Sequence, residues 1–255
     1  MIRRAFSCGI ILVSVLLLLA ACTLKIPFQN WDEPCPRGSL LVPEGWFTMG
    51  EDDGRTSNQP QHPVYLDAYC IQQTEVTRQA FEKYLAETDV ESIATVDGEA
   101  QLPVVGLLWE EAQAYCDWLG MRLPSEAELE KAARGEDGRR YPWGDAWERD
   151  KANTVEGGAG GLLPVGSFPG GASPYEVLDM SGNAAEWVAD HFDFTYYQVS
   201  PDHNPTGPTQ VLDHGLRGGS YASDAGQATT YFRDSSHSAL PNFRVGFRCA
   251  SAAEK

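Results

Sequence analysis

Arg122-Leu123-Pro124-Ser125-Glu126-Ala127-Glu128 divides the chain into two parts of different character. Ser125 and Glu128 stand three positions apart, the spacing of a capping box. The hydroxyl and the carboxylate each satisfy a free backbone N–H at the start of a helix, here running to about Arg134. Upstream, Thr77 to Glu87 carries Ala80, Phe81, Tyr84 and Leu85 at helical spacing. Trp109 to Leu119 repeats the pattern with Trp109, Ala112, Cys116 and Leu119. Further back, 40–49 predicts a strand, a turn at Pro43-Glu44-Gly45 and a second strand; 51–62 is a polar loop, and Val64 to Ile71 a short strand. Downstream, 135–255 holds no comparable amphipathic helix. Gly, Pro, Asn and aromatic residues dominate there, with short strands near 216–221 and 244–249. Amphipathic helices followed by a turn-rich β region predict an α+β fold. No repeat or low-complexity linker divides 35–255, so one domain is expected.

The 255 residues are 42% hydrophobic, enough for a buried core. Nineteen Lys and Arg face 36 Asp and Glu, a formal charge of −17, which argues against a nucleic-acid partner because phosphate contacts need cations. The 25 Gly and 16 Pro fit a loop-rich backbone.

The first residues have a separate purpose. Arg3 and Arg4 precede an apolar run from Ile10 to Ala21, which is shorter than the ~20 residues that span a bilayer. The run ends in Leu19-Ala20-Ala21-Cys22, small residues before a scissile bond. This resembles a bacterial lipobox. Residues 1–21 are expected to be a lipoprotein signal peptide, Cys22 the acylated first residue, and 22–38 a tether. The domain proper is expected over 39–253, lipid-anchored to the membrane on its extracytoplasmic side. The leader carries two Arg and no acid, so its removal takes the charge from −17 to −19. Setting aside Cys8 and Cys22 leaves Cys35, Cys70, Cys116 and Cys249. An even number in an exported chain predicts two disulfides, with three pairings open.

Seven phrases then occur in a telling order: Val42-Pro43 through Met49-Gly50, Thr74-Glu75-Val76-Thr77, and the 122–128 stretch itself. Next come Tyr141-Pro142-Trp143-Gly144, Gly182-Asn183-Ala184-Ala185-Glu186-Trp187, Arg217-Gly218-Gly219-Ser220-Tyr221 and Gly246-Phe247-Arg248-Cys249. In this order, over about 40–252, the chain resembles the sulfatase-modifying-factor domain of formylglycine-generating enzymes. The resemblance implies a variant of the C-type lectin fold, with two helices plus short antiparallel strands and much irregular backbone. Members of that family serve as copper-dependent oxidases, as parts of iron sulfoxide synthases, or as noncatalytic ligand-display domains, so membership alone leaves function open.

The oxidase chemistry implied by the resemblance needs two thiolates on Cu(I), a soft ion that selects soft sulfur. In the enzymes these lie at the second and seventh positions after the phrase ending in Tyr221. Here those positions hold Ser223 and Ala228, and no Cys occurs between 117 and 248. A hydroxyl and a methyl cannot replace two thiolates, so no copper and no formylglycine-generating activity are expected. His62, His191, His203, His214 and His237 are scattered without an i, i+4 pair, and neither a Ser-His-Asp arrangement nor a phosphate-binding Gly-Lys-Ser/Thr loop is present.

The resemblance assigns Cys116 to Cys249, leaving Cys35 for Cys70; the family's other bridge is missing, since Ala133 and the region of Arg233 lack Cys. It also implies a structural calcium site: a side chain from Asp179, carbonyls from Gly182 and Ala184, and a carboxylate from Glu186, all hard oxygen donors. A second, weaker calcium site would begin at Asn153 and Thr154, with Glu156 as its acid.

Two classes of function follow. The first is a noncatalytic binding or accessory module for an unknown extracellular ligand or envelope protein. Its contact candidates lie in 222–244 and just before it: Tyr221, Tyr231, Phe232, Arg233, His237 and Asn242. Aromatic plus small polar residues are what adaptable binding surfaces use, although the same aromatics could pack in an irregular core. The alternative is an oxidoreductase or other enzyme with a remodelled pocket, drawing on Asp224, Arg233 and His237. A scaffold subunit of an envelope complex is a third reading.

Overall fold

Leu40 and Val42 alternate with residues facing outward, and the strand they form, Ser39–Val42 (β1), pairs antiparallel with Tyr69–Gln72 (β4). The computed structural model describes residues 34–209 and 212–254. The expected leader, Cys22 and the tether up to residue 33 lie outside the described residues. Gly45–Met49 (β2) pairs with His62–Leu66 (β3), so the two strands around Pro43-Glu44-Gly45 form but do not pair with each other. The strand expected over 64–71 is two strands. The chain breaks at Asp67-Ala68 because β3 and β4 serve different partners. Ala250–Ala252 (β9) completes a three-stranded sheet in the order β1-β4-β9.

All three predicted helical segments form: Arg78–Thr88 (α1), Trp109–Trp118 (α2) and Glu126–Arg134 (α3). Thr77 Oγ1 caps α1 by accepting from the Ala80 N–H at 3.2 Å. The capping box of α3 is present: Glu128 N donates to Ser125 Oγ at 3.1 Å, and Ser125 N donates to Glu128 Oε2 at 2.8 Å. The family fold's two helices are therefore joined by a third. Every residue of α3 is buried, charged ones included, because the helix packs against four strands, β2, β3, Ala185–His191 (β5) and Asp213–Arg217 (β6), rather than lying on the surface.

The second half builds a four-stranded sheet in the order β7-β6-β5-β8: Asp234–His237, Asp213–Arg217, Ala185–His191 and Val245–Gly246. The β5–β8 pair is parallel, an exception to the antiparallel expectation. Strand β5 was not foreseen. Glu186, Trp187 and Val188 are buried in succession, so it lacks the alternation by which a half-buried strand announces itself. One apolar cluster joins the N-terminal strands to α3, and a second joins α1 and α2 to Trp187, Leu216 and Phe247. Two disulfides brace the fold: Cys35–Cys70, with Cα atoms 5.4 Å apart, fastens the segment before β1 to β4, and Cys116–Cys249, at 5.6 Å, lies within the second cluster.

Candidate functional site

The chain leaves β6 at Arg217 and turns through Gly218 and Gly219, whose φ values of +83° and +67° suit residues without a Cβ. This turn and the return segment at 242–245 enclose a cavity of about 200 Å³. Ser220, Ser223, Gln227, Asp234, Asn242 and Arg244 supply its polar wall. Ser223, at the first family copper position, lines this cavity, and its Oγ accepts from the Ser220 N–H at 3.0 Å. Ala228, at the second, is fully buried. All four cysteines among the described residues are in disulfides, so these residues offer no thiolate.

Beneath the cavity lies an ionic layer that sequence reasoning missed. Arg217 pairs with Glu130, and its Nη1 donates to the Phe232 carbonyl at 2.9 Å. Burial alone would lower the Arg217 pKa, yet Tyr197, Glu130 and Glu126 together hold it above its ordinary value. Arg233 donates to both oxygens of Glu126, at 2.7 and 2.9 Å, and to the Ser57 carbonyl at 2.6 Å. It is 0% exposed, which removes it from the surface contacts expected over 222–244. Tyr231 and Phe232 are also buried, each with an arginine over its ring: Arg134 at 5.3 Å and Arg55 at 4.8 Å. Tyr221, His237 and Asn242 stay partly exposed, and Asn242 alone of these lines the cavity. Asp224, Arg233 and His237 do not act together. Asp224 Oδ1 accepts from Gln227 N at 3.0 Å, Arg233 holds Glu126, and His237 Nδ1 accepts from Ala239 N at 3.2 Å.

The expected calcium loop is a buried turn. Gly182 has φ +85°, and a Cβ there would fall 2.2 Å from the Asn153 carbonyl oxygen, so only glycine fits. Asp179 Oδ2 accepts from Gly166 N at 2.6 Å. Both oxygens of Glu186 accept from Arg248, each at 2.7 Å. Glu75, which sequence reasoning did not assign, joins this group. Its Oε1 accepts from Asn183 Nδ2 at 3.0 Å, while its buried Oε2 has no partner among the described residues. Burial, followed by the charges of Asp179 and Glu186, pushes the Glu75 carboxyl well above its ordinary range. Three acids thus share one guanidinium. The excess negative charge and the orphaned oxygen suit a hard dication, although among the described residues no three acidic, His or Cys side chains converge on one point. At the weaker site, Asn153 Nδ2 donates to the Gly161 carbonyl at 2.9 Å, and Thr154 Oγ1 donates to Glu156 at 2.9 Å.

The family described as "Sulfatase-modifying factor enzyme 1-like domain" matches residues 28–253. The serine/threonine-protein kinase pkn1 of Chlamydia pneumoniae is 33% identical over 247 residues, covering 86% of this chain and 39% of that protein. The chain thus spans about two fifths of that relative's length. The formylglycine-generating enzyme of Streptomyces coelicolor is 30% identical, covering 86% of this chain and 90% of the enzyme. The inactive C-alpha-formylglycine-generating enzyme 2 of Mus musculus is 28% identical over 97% of this chain and 95% of its own. Among solved structures, PvdO from Pseudomonas aeruginosa superposes with a TM-score of 0.72 at 26% identity, covering 83% of this chain and 93% of PvdO.

Proposed function

Since this chain belongs to the sulfatase-modifying factor family, we propose that it is a lipid-anchored, extracytoplasmic member that binds a ligand or an envelope protein and does not generate formylglycine. The carrying observation is the occupancy of the copper positions. Ser223 faces the cavity, Ala228 is sealed in the core, and the described cysteines are locked in disulfides. Cu(I) has no soft ligand pair there. The remaining wall, chiefly Ser220, Gln227 and Asn242 with Asp234 and Arg244 among them, is suited to hydrogen-bonding a ligand. That a similar protein bears the name of an inactive formylglycine-generating enzyme supports the same reading.

Anchoring rests on the lipobox-like Leu19-Ala20-Ala21-Cys22. No helix among the described residues is long and apolar enough to cross a membrane. In this reading Ca²⁺ is structural: Asp179 and Glu186 with the Gly182 and Ala184 carbonyls would hold it, and its charge would offset the crowded acids, the nearby Glu75 included.

The test uses the full chain in detergent. Supplied with Cu(I), O2 and a Cys-containing sulfatase peptide, it should leave the Cys unconverted; on glycan and peptide arrays it should retain a ligand less well after EDTA. Conversion of the peptide, or no binding to any arrayed ligand, would overturn the reading.

A further inference from the structure

A second cleft, of about 390 Å³, opens near the far end of β5 and shares no lining residue with the cavity beside Ser223. Its floor includes Asp190, a carboxyl only 3% exposed. Asp190 Oδ2 accepts from the Glu126 N–H at 2.9 Å, at the start of α3. Oδ1 has no hydrogen-bond partner among the described residues. The loop carrying Asn204, Pro205 and Thr206 covers this floor, held by two bonds to Asp67: Asp67 N to Asn204 Oδ1 at 2.9 Å and Asn204 Nδ2 to Asp67 Oδ2 at 3.1 Å. The loop's next residue, Gly207, lies so close that a Cβ there would stand 2.7 Å from Asp190 Cβ and 3.1 Å from Oδ1.

The charges in the cleft decide what can enter. Asp67, Glu128 and Asp190 line it against one cation, Arg122. Arg122 is already committed, donating to both Glu128 oxygens at 2.6 Å each. An anionic ligand would find no free cation, since Arg122 is held by Glu128, and would meet the Asp67 carboxylate at the rim. A cation would meet the unpaired Asp190 oxygen. The rest of the wall, including Leu66, Tyr69 and Pro205, is apolar and suits a short hydrocarbon stem.

We propose that this cleft is a binding site for an organic ammonium group on a short apolar stem, as carried by a lysine side chain or a free alkyl diamine, with Asp190 as the group that pairs with it. Burial, reinforced by Glu126, pushes the Asp190 carboxyl up to about 8, with Glu128 adding to the rise and Arg233 opposing it. At pH 7 the free site is therefore mostly protonated. When the ammonium arrives, the Asp190 O–H bond breaks, its proton leaves to solvent, and the carboxylate accepts from the ligand's N–H.

Calorimetry of the full chain at pH 7, in two buffers of different ionisation enthalpy, tests this with 1,5-diaminopentane, an acetylated lysine methylamide and 1,5-pentanediol. The amines should bind with release of up to about one proton, and the diol should not. Stronger binding of the lysine amide identifies the source as protein, and of the diamine as a free amine. Asp190→Asn, which keeps the bond to Glu126 N, should abolish proton release and weaken binding by about tenfold or more. If that variant does not fold, Asp67→Asn at the rim should still weaken the amines and leave the diol unaffected. Equal binding of diol and amine, no heat at millimolar amine, or proton release unchanged in a folded Asp190→Asn chain would overturn the proposal. None of these readings depends on the cavity beside Ser223.

Discussion

Arg248 grips Glu186 with two bonds of 2.7 Å each, from Nε and Nη2, across 62 residues of chain. Arg248 Nη1 and Nη2 also donate to the carbonyls of Gln72, Gln73 and Leu178 at 2.9–3.1 Å. One buried side chain therefore joins the end of β4, the turn before the expected calcium loop, and β5. Glu186→Gln would take from the buried guanidinium the acid that hydrogen-bonds it directly, since Asp179 and Glu75 act on Arg248 only by charge. It should cost about 3–5 kcal/mol, read as a lowered urea midpoint with the slope unchanged.

The two disulfides should contribute unequally. Cys116–Cys249 closes 133 residues and Cys35–Cys70 closes 35. Loop-closure entropy assigns them about 5 and about 4 kcal/mol. Cys116→Ala/Cys249→Ala should lower the urea midpoint further than Cys35→Ala/Cys70→Ala. Equal losses would show that native-state strain or denatured-state structure offsets the entropy.

The crowded acids near Arg248 lead to a metal prediction. Ca²⁺ should raise the thermal midpoint of the chain, and EDTA should reverse the rise. Asp179→Asn should remove most of the calcium response. Glu75→Gln should cost little stability without calcium, since the native site already favours an uncharged Glu75.

Asp190 and His214 should shape stability from opposite sides of neutrality. The Asp190 carboxyl is pushed up to about 8 from 3.8. Its contribution is complete below pH ~4 and is lost as pH rises through about 8. Asp190→Asn should flatten that fall in urea midpoints taken across this range.

His214 is stacked on Trp109, with ring centroids 4.0 Å apart, and leaning on His191 at 4.3 Å. Burial, then the neighbouring His191, pulls its pKa down to about 4 from 6.5. Its contribution is present above pH ~6.5 and is lost as pH falls through about 4. His214→Phe keeps the stack without the titration and should reduce the loss of stability on acidification. An unchanged acid limb would place that loss elsewhere.

Local chemistry was legible wherever one stretch of chain contained both partners. Ser125 and Glu128 predicted their own capping box, the apolar spacing at 77–87 and 109–119 predicted α1 and α2, and Ser223 and Ala228 declared the missing thiolates. Burial of charge was not legible. Glu126 and Arg233 stand 107 residues apart, and nothing near either marks the other as its partner. Arg233 therefore read as a surface contact. Strand β5 was hidden because burial on both faces erases alternation.

The sequence by itself determined the fold family, the three helical segments and the want of a copper-binding pair. These depend on residue type and short spacing, which survive without a third dimension. Only the tertiary structure decided which acids are neutralised. Glu126, Glu130 and Glu186 meet arginines, whereas Glu75 keeps one buried oxygen unpartnered and Asp190 faces an open cleft. A carboxylate's charge state depends on solvent and partners brought together from distant parts of the chain, and the chemistry proposed for this protein lies in those meetings.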